Sequence, residues 1–279
     1  MPRPIFLVAL VLTAVAVPLA IHFELIPERW LMAGSTSAGH SSPTGPCSEA
    51  MSFLEGDPSK ALSLIEACIE QNGDKTPIDI HFKRAFNFED KIPTEKVIAD
   101  YTKCIESGHK LASSYNNRAL AYKKSEQYAL AEKDAYNSIE HSPQIASHYW
   151  TLGSILYGNE KFRDALKYLS IALKLDPENG SVHHSMSVAY RSLNEFGKAK
   201  QEINKAISII PDSSKYYYSR GWLNMKMNMH GAAILDYKRA LQLDPKNAQA
   251  HRGLAACYFK LGKTELSQLH TKIADSMPN

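Results

Sequence analysis

The residues that could do chemistry in this chain are few and poorly spaced for it. His183 and His184 are adjacent, with His148 upstream, and neighbouring helical positions point to different faces, so the pair does not converge on one metal ion. Cys47, Cys68, Cys104 and Cys257 have neither zinc-site spacing nor a Cys-x-x-Cys pair. Serine and aspartate are plentiful, yet no nucleophile elbow, glycine-rich phosphate loop or paired-carboxylate motif is present. The chemistry left is recognition. No catalytic residue, metal, cofactor or small-molecule substrate is expected, and the chain does not read as an enzyme.

What recurs is a helical pattern. In residues 146–179, Tyr149, Leu152 and Leu156 share one helix face, and Gly153 leaves room for a second helix to pass closely. Ala165, Leu169 and Ala172 make a facing stripe, and Pro177 stops it. One step of about 34 residues forward, the pattern returns as Met186, Ser187, Tyr190, Ala199, Ile203, Ala206 and Pro211. Further steps give Gly221, Ala233, Tyr237, Ala240 and Pro245, then Leu254, Ala255, Tyr258 and Ala274. One step back gives Ala119, Tyr122, Ala131, Ala135 and Pro143. From Ile78 onward the chain resembles the tetratricopeptide repeat family, whose unit is a helix-turn-helix. The resemblance implies an all-α, right-handed solenoid of about seven helix pairs, with interaction as its business. The units expected are 47–76 (degenerate), 78–111 (divergent, with an atypical Ile92-Pro93 turn), 112–145, 146–179, 180–213, 214–247 and 248–279. The last helix is softened by Ser267 and Thr271, as a terminal repeat requires.

A different segment precedes the repeats. Ile5 to Ile21 is apolar except for Thr13 and Pro18, longer than a signal-peptide core of about 7–15 residues and at the lower limit for a spanning helix. Residues 1–22 are therefore expected to be a signal-anchor or transmembrane helix, with a cleaved signal and a buried or interfacial helix as alternatives. Arg3 favours an inside amino terminus, which puts the repeats outside the cytoplasm, in a periplasm or its equivalent. Signal cleavage would instead release a secreted protein. Residues 23–46 follow: an amphipathic passage with Trp30, and a flexible linker rich in small and polar residues. The repeat domain, 47–279, begins at Cys47. Cys47 opens the first helix and Cys68 closes the second, so the two could meet as a disulfide if the repeats face an oxidising compartment. Cys104 and Cys257 read as buried thiols.

In the family, the first helix of each pair lines the concave side. Carried onto this chain, that gives a groove of Phe82, Phe86, Asn117, Lys123, Trp150, Tyr157, His184, Arg191, Lys215, Tyr218, Trp222, Lys226, Arg252 and Phe259, with Glu89 and Asp90 as an acidic patch at one end. Aromatic anchors among cations suit a peptide or protein partner that is acidic or offers a chain-terminal carboxylate. The plain alternative is an aromatic inner wall with solvated lysines. Asn117 matches one position of the carboxylate clamp of chaperone-binding relatives, but its partner residues are absent, so that clamp is not expected. His183 falls in register with Tyr149 and Tyr217 and is expected to pack. With 279 residues, 22% of them charged, and a net charge of only +3, a nucleic-acid ligand is not expected; helical-repeat RNA binding and an accessory subunit of an enzyme remain the alternatives.

Overall fold

The computed structural model describes residues 45–54 and 56–277. The expected anchor (1–22) and nearly all of the juxtamembrane segment and linker (23–46) lie outside these. Among the described residues no helix is long and apolar enough to cross a membrane.

The described chain is all-α. Fourteen helices run in antiparallel-style pairs, a first helix and a second: α1 (Pro46–Phe53) and α2 (Pro58–Asn72), α3 (Ile78–Phe88) and α4 (Thr94–Glu106), α5 (Leu111–Lys124) and α6 (Tyr128–His141), α7 (Ala146–Gly158) and α8 (Phe162–Leu175), α9 (Gly180–Ser192) and α10 (Phe196–Ile209), α11 (Ser214–Lys226) and α12 (His230–Leu243), α13 (Ala248–Lys260) and α14 (Thr264–Asp275). Each helix packs on the next, and α5, α7 and α9 also touch in succession, as do α11 and α13, which makes a helical-repeat solenoid.

Small residues decide the crossings. Ala131, Ala165, Ala199 and Ala233 are all fully buried. At Gly153 a Cβ would sit 2.7 Å from the Leu169 Cγ, and at Gly253 it would sit 2.4 Å from the Tyr237 ring, so these helices approach as closely as their side chains allow. Apolar residues of neighbouring pairs then merge into overlapping cores, from Cys47, Ala61 and Ile65 at one end to Tyr237, Leu254 and Cys257 at the other.

The turn inside each pair is also periodic. Glu126, Glu160, Asn194, Asn228 and Gly262 all have φ between 58° and 70°, a left-handed position that lets the chain reverse in a few residues. In the second pair that register falls on Ile92, which precedes Pro93. A pre-proline, β-branched residue is driven out of the helical regions, so this turn closes through Phe88, whose carbonyl accepts from the Lys91 and Ile92 N–H groups at 2.9 and 3.1 Å.

Helix starts follow their capping residues where these exist. Asp57 accepts from the Ser59 and Lys60 amides ahead of Pro58, and Asn179 and Asn247 cap α9 and α13. Cys47 and Cys68 form a disulfide between α1 and α2, with Cα atoms 4.9 Å apart. Cys104 and Cys257 are buried free thiols. At the far end α14 buries only Ala274 and leaves Leu269 half exposed, because no further pair follows to cover it among the described residues. Ser267, in place of an apolar residue, donates to the Ala255 carbonyl at 2.9 Å.

One structural device was not expected from sequence. Arg84 pairs with Asp100, Arg118 with Asp134 and Arg220 with Asp236, each an arginine on a first helix held by two or more hydrogen bonds to an aspartate on the second. Arg118 also reaches back to Thr102, and Arg220 to Asn204, on the preceding pair. The other pairs place Leu152, Met186 and Leu254 in that register. His183, expected as a packing residue, is buried, and it is also hydrogen-bonded: its Nδ1 lies 2.7 Å from Glu202 Oε2, as His81 Nδ1 lies 2.6 Å from Asp100.

Candidate binding groove

The first helices α5, α7, α9 and α11 converge on a shared pocket of ≈220 Å³. Lys123 enters from α5, Trp150, Ser154 and Tyr157 from α7, His184 and Ser185 from α9, and Lys215 from α11; Gly153, Leu169 and Val188 line its apolar part. These positions come together because the residues recur at corresponding places on helices that lie side by side. Trp150, His184 and Tyr218 occupy one column of the array, and Lys123, Tyr157 and Arg191 another.

The wall is laced across repeats. Trp150 Nε1 donates to Ser185 Oγ at 3.0 Å, the Tyr157 hydroxyl lies 3.2 Å from Ser192 Oγ, and His184 Nε2 lies 3.1 Å from Ser219 Oγ with its ring stacked on Tyr216. Each residue thus steps to the neighbouring first helix, which holds the aromatic rings in place before any ligand arrives.

Charge in this wall has one sign. Lys123 donates to Ser154 Oγ at 3.2 Å, and burial, then the nearby Lys215, pushes its pKa below the usual lysine value. Burial also pushes His184 down to about 4, helped by Lys215 and Arg191, so it is neutral at pH 7. Among the described residues Lys123, Arg191, Lys215 and Lys226 form no ion pair, while most other ion pairs tie lysines and arginines to carboxylates elsewhere. Beyond the pocket, Arg191 and Lys226 both sit over the Trp222 ring, at 5.0 and 5.2 Å from its centroid, and Phe196 meets that ring in a T-shaped contact.

The remaining expected residues distribute unevenly. Phe82, Phe86 and Asn117 line a separate pocket of ≈410 Å³ with Asn116, Ile145 and His148. Phe82 is itself buried and forms that pocket's floor, while Phe86, stacked on it, is 59% exposed. Tyr218 is half-buried, packs against the core residue Tyr237 and lines neither pocket. Arg252 and Phe259 are exposed on α13 and join neither pocket. The acidic end has its own cavity, where Asp90 receives Lys124 Nζ at 2.9 Å. Sequence reading passed over Val188 and Leu169 as groove-forming; for Val188 the available signal was its register with Ser154 and Trp222, while Leu169 lies on a second helix and gave none.

Comparison with known proteins fits this architecture. Residues 150–214 match the family model described as tetratricopeptide repeat, and residues 225–262 the one described as TPR repeat. The chain carries tetratricopeptide repeats over those segments, and proteins of that kind generally mediate protein–protein interactions on a typically non-catalytic scaffold. Among solved structures, it is similar to a tetratricopeptide repeat protein from Parabacteroides merdae (15% identity, TM-score 0.68, covering 84% of this chain and 92% of that one). It is also similar to pilF of Pseudomonas aeruginosa (15% identity, TM-score 0.62, covering 69% and 88%). A curated relative, human serine/threonine-protein phosphatase 5, is 29% identical over 119 residues, or 40% of this chain. The chain spans only about a quarter (24%) of that phosphatase, and the enzyme's activity does not transfer with it.

Proposed function

We propose that the chain is a membrane-tethered, non-catalytic interaction module that holds an acidic peptide segment of a protein partner along its first-helix groove. The observation that carries this reading is the row of cations without acidic partners, Lys123, Lys215, Arg191 and Lys226, set among pre-positioned aromatic rings. An unpaired cation beside a half-buried aromatic wall is stabilised when a carboxylate arrives, and the partner's apolar atoms gain the ring faces. The apolar run 5–21 and the Cys47–Cys68 disulfide together favour an extracytoplasmic location, because disulfides persist in oxidising compartments.

The test uses the full chain and two exposed lysines that no ion pair in the described residues employs. Lys215→Glu with Lys226→Glu leaves the core untouched and gives up only the contact of Lys226 with the Trp222 ring, so stability should stay within about 1 kcal/mol of wild type. Proteins retained by wild type in a pull-down should be lost with the reversed chain. Unchanged retention would move the ligand to the opposite face or to the Asp90 end.

A further inference from the structure

The two pockets differ in chemistry, and that difference specifies the partner more closely; the argument rests on the groove reading above. The Phe82 pocket contains no lysine, arginine, aspartate or glutamate. Serines, Asn116, Asn117 and His148 make up much of its lining, but Phe86 and Ile145 are both strongly exposed along it, and such exposed apolar surface is stabilised by an apolar side chain. Its amides are not self-sufficient. Asn116 Nδ2 donates to Asn117 Oδ1 at 3.1 Å and Asn117 Nδ2 to the Tyr101 hydroxyl at 3.3 Å, but the buried Asn116 Oδ1 has no partner. That oxygen is closed off from solvent, so it is a cost carried inside the array and not an acceptor offered to a ligand.

The second pocket is its complement. Its hydroxyls are already engaged: Ser154 Oγ donates to the Thr151 carbonyl and Ser185 Oγ to the Ser181 carbonyl, both at 2.9 Å. What stays open is donor capacity, since an ammonium group carries three N–H bonds and Lys123 uses one within the chain. No guanidinium fork lines this pocket, so it is built for a carboxylate held by point charges more than for a phosphate held bidentately.

The separation of the two can be estimated from the helix they share. Asn116 and Lys123 both lie on α5, two turns or about 10 Å apart along its axis. An extended chain advances about 3.3 Å per residue, so the span is about three residues, and the flexible lysine adds about one more. We propose that the partner presents a short extended segment in which an apolar residue seats against Phe82, Phe86 and Ile145 and an aspartate or glutamate, three or four residues away, lies between Lys123 and Lys215.

The experiment is a selection of random decapeptides displayed on phage against the full chain, followed by synthesis of the enriched sequences with both ends capped. Enriched peptides should pair Leu, Ile, Met or Phe with Asp or Glu at a spacing of three or four. Phe86→Ser and Lys123→Met, at an exposed and an unpaired position, should each weaken such a peptide at least tenfold. Phe86→Ser should have little further effect once the peptide's apolar residue is changed to Ser, and Lys123→Met little once its acid is changed to Gln. Selected peptides without that pairing, or losses that do not track the matching side chain, overturn the two-point segment. So does binding that vanishes when the ends are capped. If those same peptides still respond to Lys215→Glu with Lys226→Glu, the groove reading stands without it. If no selected peptide responds to the charge reversal, both fall.

Discussion

Removing the carboxylate of Asp236 separates the two ways this array solves one packing problem. Asp236 is buried and accepts from Arg220 Nε, from Arg220 Nη2 at 2.7 Å and from Asn224 Nδ2 at 2.8 Å. In Asp236→Ala the arginine loses its counter-ion and Asn224, itself buried, loses its acceptor. Breaking a buried pair by deleting one partner typically costs about 3–5 kcal/mol. The Arg220 side chain is 26% exposed, so water relieves part of the charge and the expected loss sits near the lower end, about 3 kcal/mol. That corresponds to a fall of about 6–12 °C in melting temperature for a chain of this size.

The fourth pair shows an alternative in the same register. There Leu152 and Leu156 are buried and Tyr168 replaces the aspartate, its hydroxyl 3.2 Å from that of Tyr136. Transplanting that solution as Arg220→Leu/Asn224→Leu/Asp236→Tyr removes every buried polar group of the clamp at once, and should recover at least half of the loss. Urea unfolding of wild type, single and triple variants, followed by circular dichroism, measures both steps. A loss below about 1 kcal/mol for Asp236→Ala would make the clamp no more than a surface ion pair. A triple variant no more stable than the single would show that the two registers are not interchangeable, and would refute the reasoning.

Three further outcomes are expected. Glu160 is held at φ 58°; a left-handed conformation costs an L-residue about 1–2 kcal/mol, so Glu160→Gly should gain about 0.5–1 kcal/mol in thermal or urea unfolding once the entropy of glycine is subtracted. His184 has a folded pKa of about 4 against an unfolded value of 6.5, so the unfolded chain binds the extra proton first. Stability should therefore fall as pH drops from about 6.5 to 4, by at most about 3 kcal/mol, and His184→Gln should flatten that part of a urea-midpoint profile. The Cys47–Cys68 bond closes a loop of sequence separation 21, worth about 3 kcal/mol to the unfolded-state entropy; reductant or Cys47→Ser should speed hydrogen exchange in α1 and α2 and leave α9–α14 unchanged.

What the sequence disclosed, and what it withheld, follows from which residues a register constrains by size. Alanine at 131, 165, 199 and 233 and glycine at 153 were legible because a close helix crossing excludes larger side chains, so the type itself marks the place. The arginine–aspartate clamps were not, although Arg84, Arg118 and Arg220 each stand the same distance before Asp100, Asp134 and Asp236. A charged residue is most often on a solvated face, and only its partner on the other helix reveals that it is buried. The turn was half legible in the same way. Asn194, Asn228 and Gly262 are ordinary left-handed residues, whereas Glu126 and Glu160 give no hint of that conformation by themselves. The groove shows the limit most clearly. Which side chains share the first-helix columns can be counted along the chain, but whether they share a pocket depends on what the intervening neighbours leave open. Ile145 and Asn116 line a site free of formal charge beside Phe86, Val188 and Leu169 line a cationic one with Lys215, and Tyr218 packs on Tyr237 and lines neither. Recognition here is set by those gaps between repeats, so it is read from the packing of pairs and not from the composition of any one of them.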